Sequence, residues 1–201
     1  MTLSFDTLPD DPFALFGQWL SEASQSEPSD PEAMALATAM PDGRPSVRVV
    51  LCKGYDQRGF VFYSNAESRK GRELEANPQA HLNFHWKSLR RQVRAEGRVE
   101  QVSAAEADAY FASRPRASQI GAWASEQSRE LRDRATLERR IEAFDLQFKG
   151  RTVTRPPHWG GWRIVPVRIE FWVDRRDRLH ERYIYSRDTV DAPWTKGMTF
   201  P

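Results

Sequence analysis

The sequence predicts a mainly β chain with flanking helices, an α+β domain whose strands close into a small barrel. Two observations carry that class. Short apolar runs recur along the chain, alternating with polar residues or pairing around a turn signal. Helical spacing is confined to the gaps between those runs. The 201 residues show no internal repeat, no low-complexity run and no linker long enough to split the chain into separate domains. One domain over 1–201 is therefore expected, with about 1–10 as a short N-terminal tail.

The elements follow in order. A helix is expected over 11–24, where Phe13, Phe16 and Leu20 recur at helical spacing, Asp11 caps and Pro12 fills the first turn. Residues 25–31 are a loop. Ala33 to Met40 and Val47 to Lys53 flank Pro41, Asp42 and Gly43, a hairpin signature. Phe60 to Ser64 is a third strand, entered through Asp56 to Gly59. Ser68 caps a short helix that must end near Asn77 and Pro78. Ala80 to Trp86 and Gln92 to Val102 are strands; in the second, Val93, Ala95, Gly97 and Val99 alternate with Gln92, Arg94, Glu96 and Arg98. Ser103 and Glu106 form a capping box for a helix through Tyr110 and Phe111. A longer helix is expected from about 129 to 148, with Leu137, Ile141, Phe144 and Phe148 on one face. A Pro/Gly-rich crossing over 149–160 leads to two final strands, about 162–174 and 179–187.

Composition narrows the function classes. The formal net charge of +2 is nearly balanced, and the Arg residues are mixed with Glu and Asp. That argues against a nucleic-acid protein, which carries a strong basic stripe. The single cysteine, Cys52, excludes an internal disulfide and a cysteine-based zinc site. It lies in the apolar run Val49 to Cys52 and reads as a small buried hydrophobe. No stretch is long and apolar enough for a membrane helix, and the start has no signal-peptide pattern, so a cytoplasmic protein is expected. Seven Trp and eleven Phe are many for this length and suit a ring-binding pocket or a large subunit interface as well as a core.

Four groups of cations and hydroxyls stand out. Arg48 and Lys53 are five apart and face opposite sides of a regular strand, so they share a ligand only if the strand bulges or ends between them. Tyr63, Ser64 and Asn65 lead to Ser68, Arg69 and Lys70 at a helix start, where cations oppose the helix dipole unless an anion sits there. Tyr110 and Arg114 share a helix face, Pro115 breaks that helix, and Ser118 falls at the next helix start. Arg178, His180 and Arg182 would share one strand face, a costly arrangement that makes sense toward an anionic ligand. His81 and His85 are four apart on a strand rather than a helix, so no metal site is expected. Four such groups are too many for one monophosphate and about right for two phosphorylated ligands.

The chain resembles the pyridoxine/pyridoxamine 5′-phosphate oxidase family from about Asp11 to Trp194. The resemblance rests on Arg48-Val-Val-Leu-Cys-Lys53, Phe62-Tyr-Ser-Asn65 with Ser68-Arg-Lys70, Arg91-Gln-Val93, Tyr110-Phe-Ala-Ser-Arg-Pro-Arg-Ala-Ser-Gln-Ile-Gly121, Trp159-Gly-Gly161, Ile169-Glu-Phe-Trp172 and Arg178-Leu-His-Glu-Arg182. It implies a dimeric split β-barrel with flavin mononucleotide (FMN) in clefts between two identical subunits. By match, Arg48, Val49, Val50, Leu51, Cys52, Lys53, Tyr63, Ser64, Arg69, Lys70, Gln92, Gln127, Ser128, Trp172 and Arg182 would hold FMN. Lys53, Tyr110, Arg114 and Ser118 would grip the substrate phosphate, and Arg178 and His180 would lie at the pyridine ring as the catalytic pair. The implied reaction oxidises pyridoxamine or pyridoxine 5′-phosphate to the aldehyde, with dioxygen as final acceptor.

Three departures from the family pattern are visible. The family carries a longer basic N-terminal arm with an Arg-x-x-Tyr segment, whereas about ten residues without a basic one precede the first helix here. The family ends Arg-Leu-x-Pro, and this chain ends Met198-Thr-Phe-Pro201. Cys52 replaces an aliphatic residue. Rival readings are an FMN oxidase acting on another substrate, as in phenazine pathways, and a non-catalytic module binding flavin or pyridoxal phosphate. The first is disfavoured because its members tend to lack the residues matched by Lys53, Tyr110, Arg114 and Ser118.

Overall fold

The computed structural model describes residues 5–201. Nine antiparallel strands form one sheet: β1 (Ala33–Ala39), β2 (Pro45–Leu51), β3 (Gly54–Asp56), β4 (Gly59–Asn65), β5 (Gln79–Trp86), β6 (Arg91–Gln101), β7 (Trp159–Val173), β8 (Glu181–Ser186) and β9 (Thr195–Met198). The order is β2-β1-β5-β6-β7-β4-β3, with β8 added to β7 and β9 to β8. β2 and β3 stand at opposite ends of that path, yet only Cys52 and Lys53 separate them in the chain. The sheet therefore has to curl back on itself. The junction is hydrogen-bonded on both sides, Cys52 N to Glu32 O at 2.9 Å and Lys53 N to Val61 O at 2.8 Å.

Side-chain alternation decides which face is inside. Ala80, Leu82, Phe84 and Trp86 of β5 point inward, as do Val93, Ala95 and Val99 of β6. The β6–β7 register shifts between Glu96 and Gly97, where β7 carries one extra residue, Val167, opposite them. A Cβ on Gly97 would stand 2.0 Å from the Val165 carbonyl oxygen, so only glycine lets the strands close there.

Helix α1 (Pro12–Ser26) covers the open end of the curl. Asp11 caps it by accepting from Phe13 N at 2.9 Å. Phe13, Phe16, Trp19 and Ala23 form its buried stripe. Phe16 packs edge-on against Phe60 at 4.9 Å, and Trp19 against Phe171 at 5.1 Å, tying the helix to β4 and β7. Helices α3 (Ala104–Ser113), α4 (Arg116–Ala124) and α5 (Arg134–Gln147) gather around a second cluster of Phe111, Ile120, Val153 and Trp159.

Helix α2 (Arg69–Ala76) is fixed to the β1–β2 hairpin by one carboxylate. Glu73 is 1% exposed, and its side chain accepts from Thr38 Oγ1 at 2.5 Å, Ser46 Oγ at 2.6 Å, Arg48 Nη2 at 3.0 Å and Arg69 Nε at 2.8 Å. Burial alone would push this acid up; the hydroxyl and guanidinium donors outweigh it and hold it at about 2.

The expected elements are found, with differences at their ends. β3 and β9 were not anticipated; each has three or four residues and little internal pattern. The helix expected from about 129 begins at Arg134, because Asp133 supplies its cap, accepting from Thr136 N at 2.7 Å. Its apolar residues are not buried: Ile141 is exposed and Phe144 only rests against Trp123. The last long strand begins at Glu181 rather than 179. Asp177 and Arg178 adopt left-handed backbone in a 3-10 turn, so Arg178, His180 and Arg182 do not share a strand face as expected. Of the tail expected over 1–10, residues 1–4 lie outside the described residues; within 5–10, Leu8 is buried and Tyr185 donates to the Pro9 carbonyl at 2.6 Å, while Asp6, Thr7 and Asp10 are exposed.

A depressed carboxyl stabilises the fold above its unfolded pKa and loses that contribution as pH falls toward the folded value. Glu73→Ala is expected to lower the unfolding midpoint at neutral pH and to flatten the loss of stability between pH ~4.5 and ~2. Urea unfolding across that pH range, wild type against variant, checks both.

Candidate functional site

A cavity of about 560 Å³ opens beside the hairpin. β2 supplies Arg48, Val49, Val50 and Leu51, and the junction after it Lys53. β4 supplies Tyr63 and Ser64, the start of α2 Arg69 and Lys70, α3 and its end Tyr110 and Arg114, and the loop before α5 Gln127 and Ser128. β2 ends at Leu51, which resolves the opposite-face problem: Arg48 and Lys53 both line the cavity because the strand stops between them. Three of the four sequence groups thus converge on one place. Ser118 lines an adjoining cavity of about 240 Å³ shared with Arg114, Ser64 and Gln127.

The cavity lining holds five cations and no carboxylate. Three of the cations have acidic partners behind them: Arg48 and Arg69 on Glu73, and Lys53 Nζ on Glu32 at 2.8 Å. Two do not. Lys70 is buried, and its ammonium donates only to neutral oxygens: Ser64 Oγ at 2.9 Å, Ser68 Oγ at 3.1 Å and Gln127 Oε1 at 3.0 Å. Burial, with repulsion from Arg48, pulls its pKa down to about 8. Arg114 has one buried guanidinium nitrogen, Nη1, without any partner, and burial pulls its pKa down as well. A half-buried cation left without a counter-charge is costly, and an anion entering the cavity would relieve that cost.

One wall is aromatic. Tyr63 stacks on Tyr110 at 4.0 Å between ring centroids and lies parallel to Trp159 at 5.4 Å. Gly161 sits opposite Tyr63 in the β4–β7 ladder, and a Cβ there would stand 2.6 Å from the Tyr63 ring. The glycine is what gives the ring its place. Ser128 holds left-handed backbone (φ 72°), uncommon for serine, at the cavity edge. Cations and hydroxyls gathered beside an aromatic wall suit a ligand that carries phosphate. These residues fit the FMN and phosphate-ester ligands that the resemblance implies.

Cys52 does not line the cavity. Its thiol faces inward, donates to Gly54 O at 3.3 Å and is pushed up to about 11 by burial, the state of an inert packing residue.

The remaining expected residues form a second patch away from the cavity. Gln92, Trp172 and Arg182 lie in one row across β6, β7 and β8. The His180 ring is 4.6 Å from the Trp172 ring, and its Nδ1 is 3.0 Å from Asp174 Oδ1. Arg178 is exposed in the preceding turn. Arg182 does not crowd the imidazole: it makes a two-pronged ion pair with Glu170, both contacts at 2.9 Å. The repulsion argument for an anion at this patch therefore falls away, since Glu170, buried and also bound by Arg94 at 2.5 Å, supplies the negative charge.

Sequence reasoning gave no role to Glu73, Glu170 or Trp159. The acids leave no periodic signal, because their partners come from distant strands. Trp159 opens a Trp-Gly-Gly run, and glycines inside a strand are the signal of a close approach that points to it.

The comparisons with known proteins agree with this geometry. The family model described as Pyridoxamine 5′-phosphate oxidase matches residues 20–148, and one described as Pyridoxine 5′-phosphate oxidase C-terminal dimerisation region matches 159–201. A pyridoxine/pyridoxamine 5′-phosphate oxidase of Gluconobacter oxydans is 64% identical over 178 residues, covering 89% of each chain. One from Azorhizobium caulinodans is 58% identical over 195 residues, 97% of this chain and 92% of that one. The crystal structure of PhzG from Burkholderia lata, in complex with tetrahydrophenazine-1-carboxylic acid, superposes with a TM-score of 0.92 at 33% identity, covering 100% of this chain and 98% of that one. A pyridoxamine 5′-phosphate oxidase-related, FMN binding protein from Nostoc punctiforme has a TM-score of 0.76 at 16% identity over 100% of both chains, a likeness of fold. From the two family matches, which together span most of its length, and from relatives at this identity, the chain belongs to the pyridoxamine 5′-phosphate oxidase family of oxidoreductases.

Proposed function

We propose that this protein oxidises pyridoxamine 5′-phosphate or pyridoxine 5′-phosphate to pyridoxal 5′-phosphate with FMN, as a cytoplasmic homodimer. The observation that carries the reading is the cavity lining of five cations without a carboxylate beside an aromatic wall, with Lys70 and Arg114 lacking acidic partners. The amine substrate consumes one dioxygen and one water and yields the aldehyde, ammonia and hydrogen peroxide. The alcohol consumes one dioxygen and yields the aldehyde and hydrogen peroxide. FMN, when bound, supplies the ring that accepts hydride from the substrate's 4′ carbon and passes electrons to dioxygen.

The chain's own residues bind and align. Arg48, Arg69, Lys70, Ser64, Gln127 and Ser128 would hold the cofactor phosphate, with Lys70 the central ammonium. Lys53, Tyr110, Arg114 and Ser118 would grip the substrate phosphate, far from the reacting carbon, so that remote binding energy serves alignment. Arg178 and His180, with Gln92, Trp172 and Arg182, would close the site from a partner subunit. Their separation from the cavity within one chain supports that arrangement, as does the match to a dimerisation region. The structural likeness to PhzG favours a second reading, oxidation of an unphosphorylated polycyclic acid. The open guanidinium of Arg114 weighs toward the phosphate ester.

Aerobic turnover of pyridoxamine 5′-phosphate by the FMN-loaded protein, followed by aldehyde absorbance, tests the reading. Wild type is expected to make aldehyde and peroxide in equal amounts. Arg114→Ala is expected to raise KM about 10- to 100-fold, the loss of a charge-assisted contact, with a smaller change in kcat. A wild type that binds FMN but reduces it with neither phosphorylated vitamer would overturn the reading.

Lys70 gives a separate signature. Its pKa of about 8 in the free protein should rise when a phosphate binds, so above pH ~8 binding takes up a proton. FMN affinity is then expected to fall up to about tenfold per pH unit above ~8, the slope of one linked proton. Calorimetry in buffers of different ionisation heats would register the uptake, and Lys70→Gln should abolish it.

A further inference from the structure

Arg114 ends helix α3, and Pro115 turns the chain immediately after it. Its backbone N–H is bonded to Phe111 O at 3.2 Å, but among the described residues its guanidinium donates no hydrogen bond and meets no carboxylate. A long, flexible side chain in that state has no polar reason to stay in one place. What it does have is two ring faces. The guanidinium carbon lies 5.0 Å from the Trp159 ring centroid and 5.7 Å from that of Phe111. Tryptophan gives the stronger face for a cation.

Trp159 is itself firmly held. It is 6% exposed, pairs with Asn65 at the start of β7, and meets Phe111 edge-on at 5.1 Å. Its carbonyl accepts from Arg155 Nη1 at 2.6 Å, and Arg155 is anchored in turn by Asp108 at 2.6 Å. Arg155 is thus engaged on the backbone side of Trp159, and Arg114 is the cation that lies over the indole ring, which also runs parallel to Tyr63. The ring also lines both adjoining cavities.

We propose that Trp159 is a positioning residue for phosphate recognition: its indole face holds the Arg114 guanidinium in the cavity, with Nη1 free to meet the phosphate of the substrate ester. This rests on the phosphate role given to Arg114 above. Trp159 acts through Arg114, so its removal should cost phosphate recognition specifically and leave recognition of the pyridine ring alone.

The test uses FMN-loaded protein and two ligands that cannot be oxidised at the 4′ carbon, 4-deoxypyridoxine 5′-phosphate and unphosphorylated 4-deoxypyridoxine, with binding read by calorimetry. Trp159→Leu is expected to weaken the phosphorylated ligand about tenfold, a cation–π contact at a desolvated site, and to leave the other within about twofold. Trp159→Phe should restore most of the loss. In an Arg114→Ala background, Trp159→Leu should cost nothing further. With pyridoxamine 5′-phosphate as substrate, KM should rise at constant kcat. Equal weakening of both ligands, no weakening of either, or losses that multiply in the double variant would overturn the proposal. If Trp159→Leu does not retain FMN and native circular dichroism, Trp159→Phe decides alone: about threefold weakening confined to the phosphorylated ligand supports the proposal, and an equal effect on both overturns it. A wild type with no preference for the phosphorylated ligand would remove the oxidase reading itself, and this inference with it.

Discussion

The Glu73 carboxylate is the point on which the site is assembled. It is buried under helix α2 and receives donors from β1, β2 and its own helix at once. Two of those donors, Arg48 and Arg69, are also cavity cations. The same interaction therefore docks the helix, fixes the hairpin and aims two guanidiniums. A hydrophobic contact could dock the helix equally well, but it could not set the direction of two charges.

That arrangement sorts the cavity's cations into two kinds. Arg48, Arg69 and Lys53 are backed by carboxylates, so their positions are set before any ligand arrives. Lys70 and Arg114 are braced by neutral groups, hydroxyls and an amide for one and aromatic faces for the other. The first kind gives geometry and the second gives surplus charge. A site built only of paired cations would attract an anion weakly, and one built only of free cations would repel itself open.

Most of the fold was legible because its signals are local. The Asp11 cap, the Asp-Gly hairpin, the Ser103 capping box and the alternation in β6 each need only a few neighbouring residues, and each is found. The cavity cations were legible as separate groups along the chain, but that groups so far apart serve one site was implied only by the family resemblance, since Arg48, Lys70 and Arg114 have no sequence pattern in common. What could not be read depends on contacts across the sheet. Helical spacing from 129 to 148 looked like a core face, yet the stripe on α5 finds little to pack against. Strand alternation put Arg178, His180 and Arg182 on one face, yet two left-handed residues break the strand before Glu181. Glu170 answers the charge of Arg182 from the neighbouring strand, a pairing that no spacing along the chain reveals.

The bulge opposite Gly97 has a consequence for parity. Trp159 and Trp172 are an odd number of positions apart along β7, which would place them on opposite faces of a regular strand. Inward-facing residues are even-numbered before the irregularity, Trp162 and Ile164, and odd-numbered after it, Ile169, Phe171 and Val173. Glu96 pairs with Arg168 and Gly97 with Pro166, so Val167 is the extra residue that changes the count. One uncounted residue turns what would be an inside-and-outside strand into a strand with a continuous outer face. The aromatic wall at one end and the Trp172 row at the other are both displayed there, and both are available to ligands and neighbours without either opening the core.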